Sequence, residues 1–299
     1  MRRPLRTLLL VLTTLCLVML APVAANARPA RAAKKPATTT STTVVGARAL
    51  WVWTRPTPST LVDFARRNGV GELFLSVPND LPASTALSWV RSVAALAGPA
   101  GIRLQALGGD VGWLGHPEQA VAWQHAALST GLFAGSHVDL EPWQDARWGT
   151  SAQPQAVRDY LAVLDQLRAD TALPLEADVS FWLWTISTDS GQPLDAAVLQ
   201  RVDGYTIMSY RNTVSGTDSI TDIGAHELAT AASLGKRSRL AVETNYLGAD
   251  ATSTKQTFYG KTRSTLATAL NAVNTAETEV TGYGGVAVED YDGWNALAG

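Results

Sequence analysis

The sequence predicts one (β/α)8 barrel of the TIM type over residues 47–299, with an eighth helix that is short or absent. Three observations carry this expectation. Strand-like and helix-like segments alternate from about residue 47 onward. Eight strand candidates fall within a length that suits such a barrel, about 250 residues. Acids and aromatics recur after most strands, whereas a doubly wound open sheet would gather its chemistry at one switch point.

The strand candidates are Ala49–Trp53, Glu72–Val77, Arg103–Leu107, His137–Glu141, Leu175–Val179, Gly204–Tyr210, Arg239–Glu243 and Gly285–Glu289. Helical patterns lie between them near Thr60–Asn68, Ala83–Ala97, Pro117–Ser129, Gln155–Asp170, Leu194–Arg201, Ile223–Leu234 and Thr262–Ala276. Their apolar residues recur at three- and four-residue spacing, as in Leu161, Val163, Leu164 and Leu167. Glycines such as Gly69, Gly101 and Gly284 precede several strands, where a helix end must turn.

Upstream, Arg2, Arg3 and Arg6 precede an apolar run from Leu8 to about Ala21, and Ala25-Asn26-Ala27 has the small residues of a cleavage site. Residues 1–27 are therefore expected to be a secretory signal peptide, and the location secreted or extracellular, with possible cell-wall association. Residues 28–46, rich in Ala, Thr, Pro and Lys, have too little apolar content to fold and are expected to form a flexible linker. Cys16, the single cysteine, lies in the apolar run, so the mature chain would hold neither a disulfide nor a cysteine-based metal site.

Seven of the 24 basic residues precede Gly46 and none of the 26 acids does, so the remainder carries a net charge of −9. An acidic domain is a poor partner for nucleic acid or an anionic membrane. A soluble monomer is expected, with no cofactor and no metal.

The most informative segment is Gly135-Ser136-His137-Val138-Asp139-Leu140-Glu141-Pro142-Trp143. On a strand, His137, Asp139 and Glu141 share one face while Val138 and Leu140 take the other. Further acids sit at strand ends: Asp110 after the third strand, Glu176 and Asp178 on the fifth, Glu243 ending the seventh, Glu289, Asp290 and Asp292 after the eighth. In a barrel these converge on the carboxyl-end mouth. Crowded carboxylates cannot all ionise cheaply, so at least one is expected to stay protonated as a general acid beside an ionised partner. The competing expectation is that Arg103, Arg211, Arg239 and His137 pair these acids into a buried network without catalytic use.

Eight of the ten tryptophans lie on strands or the loops after them: Trp51, Trp53, Trp113, Trp143, Trp148, Trp182, Trp184 and Trp294. Tyr210, Tyr246 and Tyr291 also fall at strand ends. Flat apolar faces with polar edges suit sugar rings. Other chemistries fit less well. None of the five lysines lies on a strand, which argues against Schiff-base catalysis. No Gly-x-Ser-x-Gly elbow is present for a serine hydrolase. His137-x-Asp139-x-Glu141 could in principle hold a hard metal ion, but no further histidine lies on a strand to complete the set.

The run Phe133–Glu141 resembles the strand-four signature D-x-x-D-x-D-x-E of family 18 chitinase-type glycoside hydrolases. Met208-Ser209-Tyr210 is similar to that family's M-x-Y, and Gly284-Gly285-Val286 to its last strand. The resemblance implies that Glu141 is the general acid, that Asp139 assists it, and that Tyr210 supports a substrate acetamido group. Ala134 and His137 stand where the signature has its first two acids, and Glu289 where the family has a tryptophan. The pair Glu141 and Glu243 is also similar to the acid/base and nucleophile of the retaining barrel glycosidases, whose carboxyls lie about 5–5.5 Å apart. Both resemblances imply Glu141 as proton donor and leave two nucleophiles open: the substrate's acetamido group or Glu243. The candidate sugar-binding residues are Trp53, Asp110, His137, Trp143, Asp178, Trp182, Arg211, Glu289 and Tyr291. The expected activity is hydrolysis of extracellular or cell-wall polysaccharide, and the alternative is a catalytically inactive glycan-binding barrel.

Overall fold

The computed structural model describes residues 47–299; the expected signal peptide and linker lie outside the described residues. Eight parallel strands close on themselves in sequence order: β1 Ala47–Val52, β2 Val70–Ser76, β3 Arg103–Gly108, β4 Gly135–Val138, β5 Leu175–Ser180, β6 Gly204–Met208, β7 Ser238–Glu243 and β8 Tyr283–Glu289. Around them run α1 Pro58–Arg67, α2 Ala86–Ala97, α3 Pro117–Leu128, α4 Gln153–Asp170, α5 Leu194–Arg201, α6 Ile220–Ile223, α7 Ala225–Ser233, α8 Ala251–Lys255, α9 Arg263–Glu277 and α10 Tyr291–Ala296. The eighth barrel helix, α10, is six residues long. The fold is the expected (β/α)8 barrel.

Strand alternation divides the molecule into two cores. Outward residues such as Leu50, Leu73, Leu75, Val138, Val179, Ile207, Val242 and Val288 meet the helices. The helices answer with apolar stripes at helical spacing, as on α4, where Ala156, Val157, Tyr160, Val163, Leu164 and Leu167 are buried. The inward set is small: Ala49, Trp51, Phe74, Leu107, Ala241 and Ala287. Three alanines on β1, β7 and β8 leave room for Trp51 and Phe74, whose rings meet edge-on at 5.2 Å. The sequence loads Trp51 into the barrel interior, not onto a sugar.

Beneath these rings the barrel is polar. Arg239 of β7 bonds both Glu72 of β2 and Glu176 of β5. Gln105 of β3 donates to the same two carboxylates at 2.9 and 3.1 Å, and Arg103 reaches Glu72 at 2.9 Å. Part of the expected ion-pair network therefore exists, built on Arg103, Arg239 and His137. Arg211 is not a member: it bonds Asp218 in the loop after β6 and lies over the Phe181 ring.

Two strands, β4 and β6, end two or more residues earlier than the sequence pattern predicts. β4 stops at Val138, although the Asp139 N–H still donates to the Gly108 carbonyl at 2.9 Å. Pro142 has no N–H and opens a 3-10 turn over Pro142–Gln144, so the ladder cannot continue through Glu141. β6 stops at Met208, where the Ser209 N–H turns back onto the Ile207 carbonyl at 2.7 Å and presents Tyr210 to the mouth.

Candidate active site at the barrel mouth

Asp139 and Glu141 leave β4 at the carboxyl end. Glu141 is half-buried, accepts a hydrogen bond from Gln144 and lies by the Trp143 indole N–H. Burial raises its pKa above the ordinary glutamate value, and the Asp178 charge adds to the rise against the pull of Gln144 and Trp143. Asp139 is held between Asp178, Glu141 and His137. Its Oδ1 is out of solvent and has no hydrogen-bond partner. Burial, then the charges of Asp178 and Glu141, push it well above the usual carboxylate range. The end of β4 thus carries two carboxyl groups that hold their protons to higher pH than ordinary carboxylates do.

The support beneath is more tightly bonded. Asp178 of β5 has both oxygens engaged, Oδ1 by His137 Nε2 at 2.7 Å and Oδ2 by Trp51 Nε1 at 3.1 Å. His137 is fully buried, stacks on Phe74 at 3.7 Å between centroids, and places Nδ1 3.7 Å from Glu176. Burial alone would lower its pKa, but the charge and hydrogen bond of Asp178, with the nearby charge of Glu176, raise it to about 9. Burial likewise opposes ionisation of Glu176, and the charge and hydrogen bond of Arg239, with the nearby His137 charge, overcome it and hold Glu176 charged. His137 is therefore an imidazolium clamped between two carboxylates. Having neither side chain open to solvent, His137 and Asp178 sit under the mouth as supports.

The opposite side of the mouth is built by β6, β7 and β8. Glu243 Oε1 accepts three bonds, from the backbone N–H groups of Thr244 and Asn245, both at 2.6 Å, and from Asn245 Nδ2 at 3.0 Å. Burial raises its pKa to about 7 in spite of these donors. Glu289 pairs with Glu243 in register and accepts from Trp53 Nε1 at 2.6 Å. Its pKa is pushed well up by burial, with the charges of Glu243, Asp139 and Asp178 adding to it. The Tyr210 hydroxyl feels Glu289, Glu243, Asp178 and Asp139, which locates it among both groups of acids.

Aromatic rings edge the β4–β5 side. Trp182 meets Trp143 edge-on at 5.3 Å and Trp148 at 6.2 Å. Trp53, 37 % exposed, borders the β1–β8 side. The barrel thus brings together Asp139, Glu141, Tyr210, Glu243, Glu289 and Trp53, with Trp143 and Trp182 at the rim. Three sequence candidates lie elsewhere. Tyr291 is buried against Phe64 of α1 at 5.1 Å. Asp110 is exposed and caps the turn Val111–Gly115 through the Gly112 N–H at 2.8 Å. Arg211 is buried in its pair with Asp218. Trp113 and Trp294 are also core residues, packed on Trp123 and Phe64. Sequence reasoning missed Glu72, Gln105 and Gln144; the period-two spacing of Glu72 with Phe74, and of Arg103 with Gln105, was the available signal.

Among the described residues, no three His, Cys, Asp or Glu side chains are arranged to hold a metal ion, and no helix is long and apolar enough to cross a membrane. No protein-family model matches the chain, and no curated protein does. Solved structures do. A family 18 chitinase from Pseudoalteromonas aurantia aligns with a TM-score of 0.56 at 11% identity, covering 84% of this chain and 98% of that one. A family 113 β-1,4-mannanase aligns with a TM-score of 0.53 at 9% identity, covering 82% and 87%. The spore cortex-lytic enzyme SleL of Bacillus cereus aligns with a TM-score of 0.52 at 11% identity, covering 84% and 73%. At these identities the likeness is one of fold: the chain has the (β/α)8 barrel that these glycoside hydrolases share.

Proposed function

We propose that the protein is a secreted glycoside hydrolase of extracellular or cell-wall polysaccharide, with Glu141 as general acid. The observation that carries the reading is the half-buried Glu141 at the mouth, its pKa raised, beside Asp139, whose buried Oδ1 has no partner. A protonated carboxyl with one face toward solvent is suited to give its proton to a leaving glycosidic oxygen. The free Oδ1 of Asp139 is suited to accept the N–H of a substrate 2-acetamido group. The acetamido oxygen would then attack the anomeric carbon as the glycosidic bond breaks and the Glu141 proton moves to the leaving oxygen. Water would open the cyclic intermediate and return a proton to Glu141. Tyr210 and the rim tryptophans would hold the sugar. The neighbours described as chitinases and cortex-lytic enzyme agree with an N-acetylated glycan. The basic, apolar N-terminal segment supports export, and the acidic domain supports a glycan partner over nucleic acid or membrane.

A second nucleophile is favoured by one observation: Glu243 is oriented by three N–H donors that leave its Oε2 without a hydrogen bond. In that case Glu243 would form a glycosyl-enzyme bond.

The test is release of reducing ends from a panel of chitin, peptidoglycan and mannan by wild type and Glu141→Gln. Wild type is expected to release ends, and the variant to be slower by a factor of about 10²–10⁴ while still binding. Binding without release by either protein would replace the hydrolase with a glycan-binding barrel.

A further inference from the structure

A second aromatic site stands beside the mouth, and no role in the reading above uses it. Tyr246 and Tyr259 are 59 % and 56 % exposed, more than any other large apolar or aromatic side chain among the described residues. Their rings meet at 5.1 Å between centroids with planes 60° apart. They line a cavity of about 530 Å³ together with Thr244, Asn245, Lys261 and the α10 glycine Gly293. That volume is in the range of small-ligand sites, about 300–1,000 Å³.

The backbone that carries both rings is fixed. The Phe258 N–H donates to the Glu243 carbonyl at 2.8 Å, and Thr257 pairs with Glu243 as a short parallel bridge. The Thr257 hydroxyl donates to the Asn245 carbonyl at 2.7 Å and accepts the Tyr259 N–H at 2.9 Å. Thr244 and Asn245, which hold Glu243, are the same residues that wall the cavity. The cavity thus adjoins Glu243 along the chain, through the two residues that orient its carboxylate. Two exposed rings on ordered backbone present stackable faces at little entropic cost. Lys261 lines the same cavity and pairs with no acid among the described residues, which leaves its ammonium free for hydroxyl or carbonyl oxygens.

We infer that the Tyr246–Tyr259 cavity is a glycan subsite that binds a pyranose unit of the same chain whose scissile bond lies in the mouth. The inference rests on the hydrolase reading for the identity of the ligand. Ring faces would take the sugar C–H groups, and Thr244, Asn245 and Lys261 its hydroxyls.

The experiment is calorimetric titration with soluble hexasaccharides of β-1,4-linked N-acetylglucosamine and of β-1,4-linked mannose. Glu141→Gln is compared with the same protein carrying Tyr246→Ala and Tyr259→Ala, and with one carrying Tyr246→Phe and Tyr259→Phe. Both tyrosines are exposed, so these variants keep the fold. The alanine pair is expected to weaken binding of the better hexasaccharide about tenfold, the scale of one or two ring contacts. The phenylalanine pair is expected to stay within about twofold of the parent, because the ring faces remain. Equal affinity of the alanine pair and its parent overturns the subsite and leaves the hydrolase reading standing. Tyrosine-dependent binding with no reducing-end release by wild type overturns the hydrolase reading and leaves the subsite. Binding of neither hexasaccharide overturns the subsite.

Discussion

At the scale of single residues, the mouth is governed by which carboxyls stay protonated. His137 sets the charge below them. Its pKa of about 9 exceeds the ordinary 6.5, so its contribution to stability is complete below about 6.5 and is lost as pH rises through about 9. Removing one partner from a buried ion pair costs about 3–5 kcal/mol. His137→Gln is therefore expected to lower the unfolding free energy by about that amount at pH 6, read by urea denaturation. The gap to wild type should narrow above pH 9, and a gap that is the same at both pH values would contradict the charged imidazole. Glu243 offers a second measurement, with its pKa raised to about 7. If Glu243 is the nucleophile, kcat/KM rises with pH through about 7 and Glu243→Gln abolishes turnover. If the acetamido group is the nucleophile, Glu243→Gln still turns over N-acetylated substrate and only the limb near pH 7 disappears. The acids on β4 were legible in the sequence because alternation and proximity put them in one short run. The network under them was legible only in part: Arg103, Arg239 and His137 were expected to pair acids, but Glu72, which Arg239 meets across the barrel from 167 residues away, was not among the candidates.

At the scale of elements, strand ends decide where side chains point. Gly109, just after β3, shows how close the chains come at the end of β4. A Cβ there would stand 1.8 Å from the Asp139 carbonyl oxygen. Gly109→Ala must push Asp139 and its neighbour Glu141 aside, and is expected to lower kcat at least tenfold, since ångström-scale misplacement of catalytic groups costs about a hundredfold. Helix packing holds a different liability. Glu227 of α7 is fully buried, neither carboxyl oxygen has a partner, and burial, with Asp195 adding to it, pushes its pKa up to about 9. The unfolded value is lower, so the stability that this neutral acid allows is fully present below about 4.5 and is gone once pH exceeds about 9. Glu227→Gln is expected to flatten the fall of Tm between pH 5 and 9, measured by thermal scans. The eight strands and most of the helices between them were legible from alternation and apolar spacing; the short helix α8, Ala251–Lys255, was not. Tyr291 was not, because Asp290 caps α10 through the Gly293 N–H and the helix that begins there turns the ring onto Phe64. A strand-end position in sequence is a mouth position only while the chain stays extended.

At the scale of the molecule, the barrel separates its tasks by radius: apolar packing lies between strands and helices, and charge lies inside. The buried ions are weak evidence for stability, since apolar side chains of similar size often serve as well. Their effect on position is plainer, because Glu72, Glu176 and Asp178 are each tied to partners from other strands. Arg239 joins Glu72, 167 residues earlier, to Glu176, 63 residues earlier. A half-barrel of β1–β4 would hold Glu72, Arg103 and His137 without Arg239 or Asp178; a half-barrel of β5–β8 would hold Arg239, Glu176 and Asp178 without His137. Each half would keep one ion pair, Glu72 with Arg103 or Glu176 with Arg239, but would lose the bonds of Arg239 to Glu72 and of His137 to Asp178. Exchange of half-barrels would break bonds that a barrel lined with aliphatic side chains does not have, and unfolding is expected to be all-or-none, with calorimetric and van't Hoff enthalpies that agree.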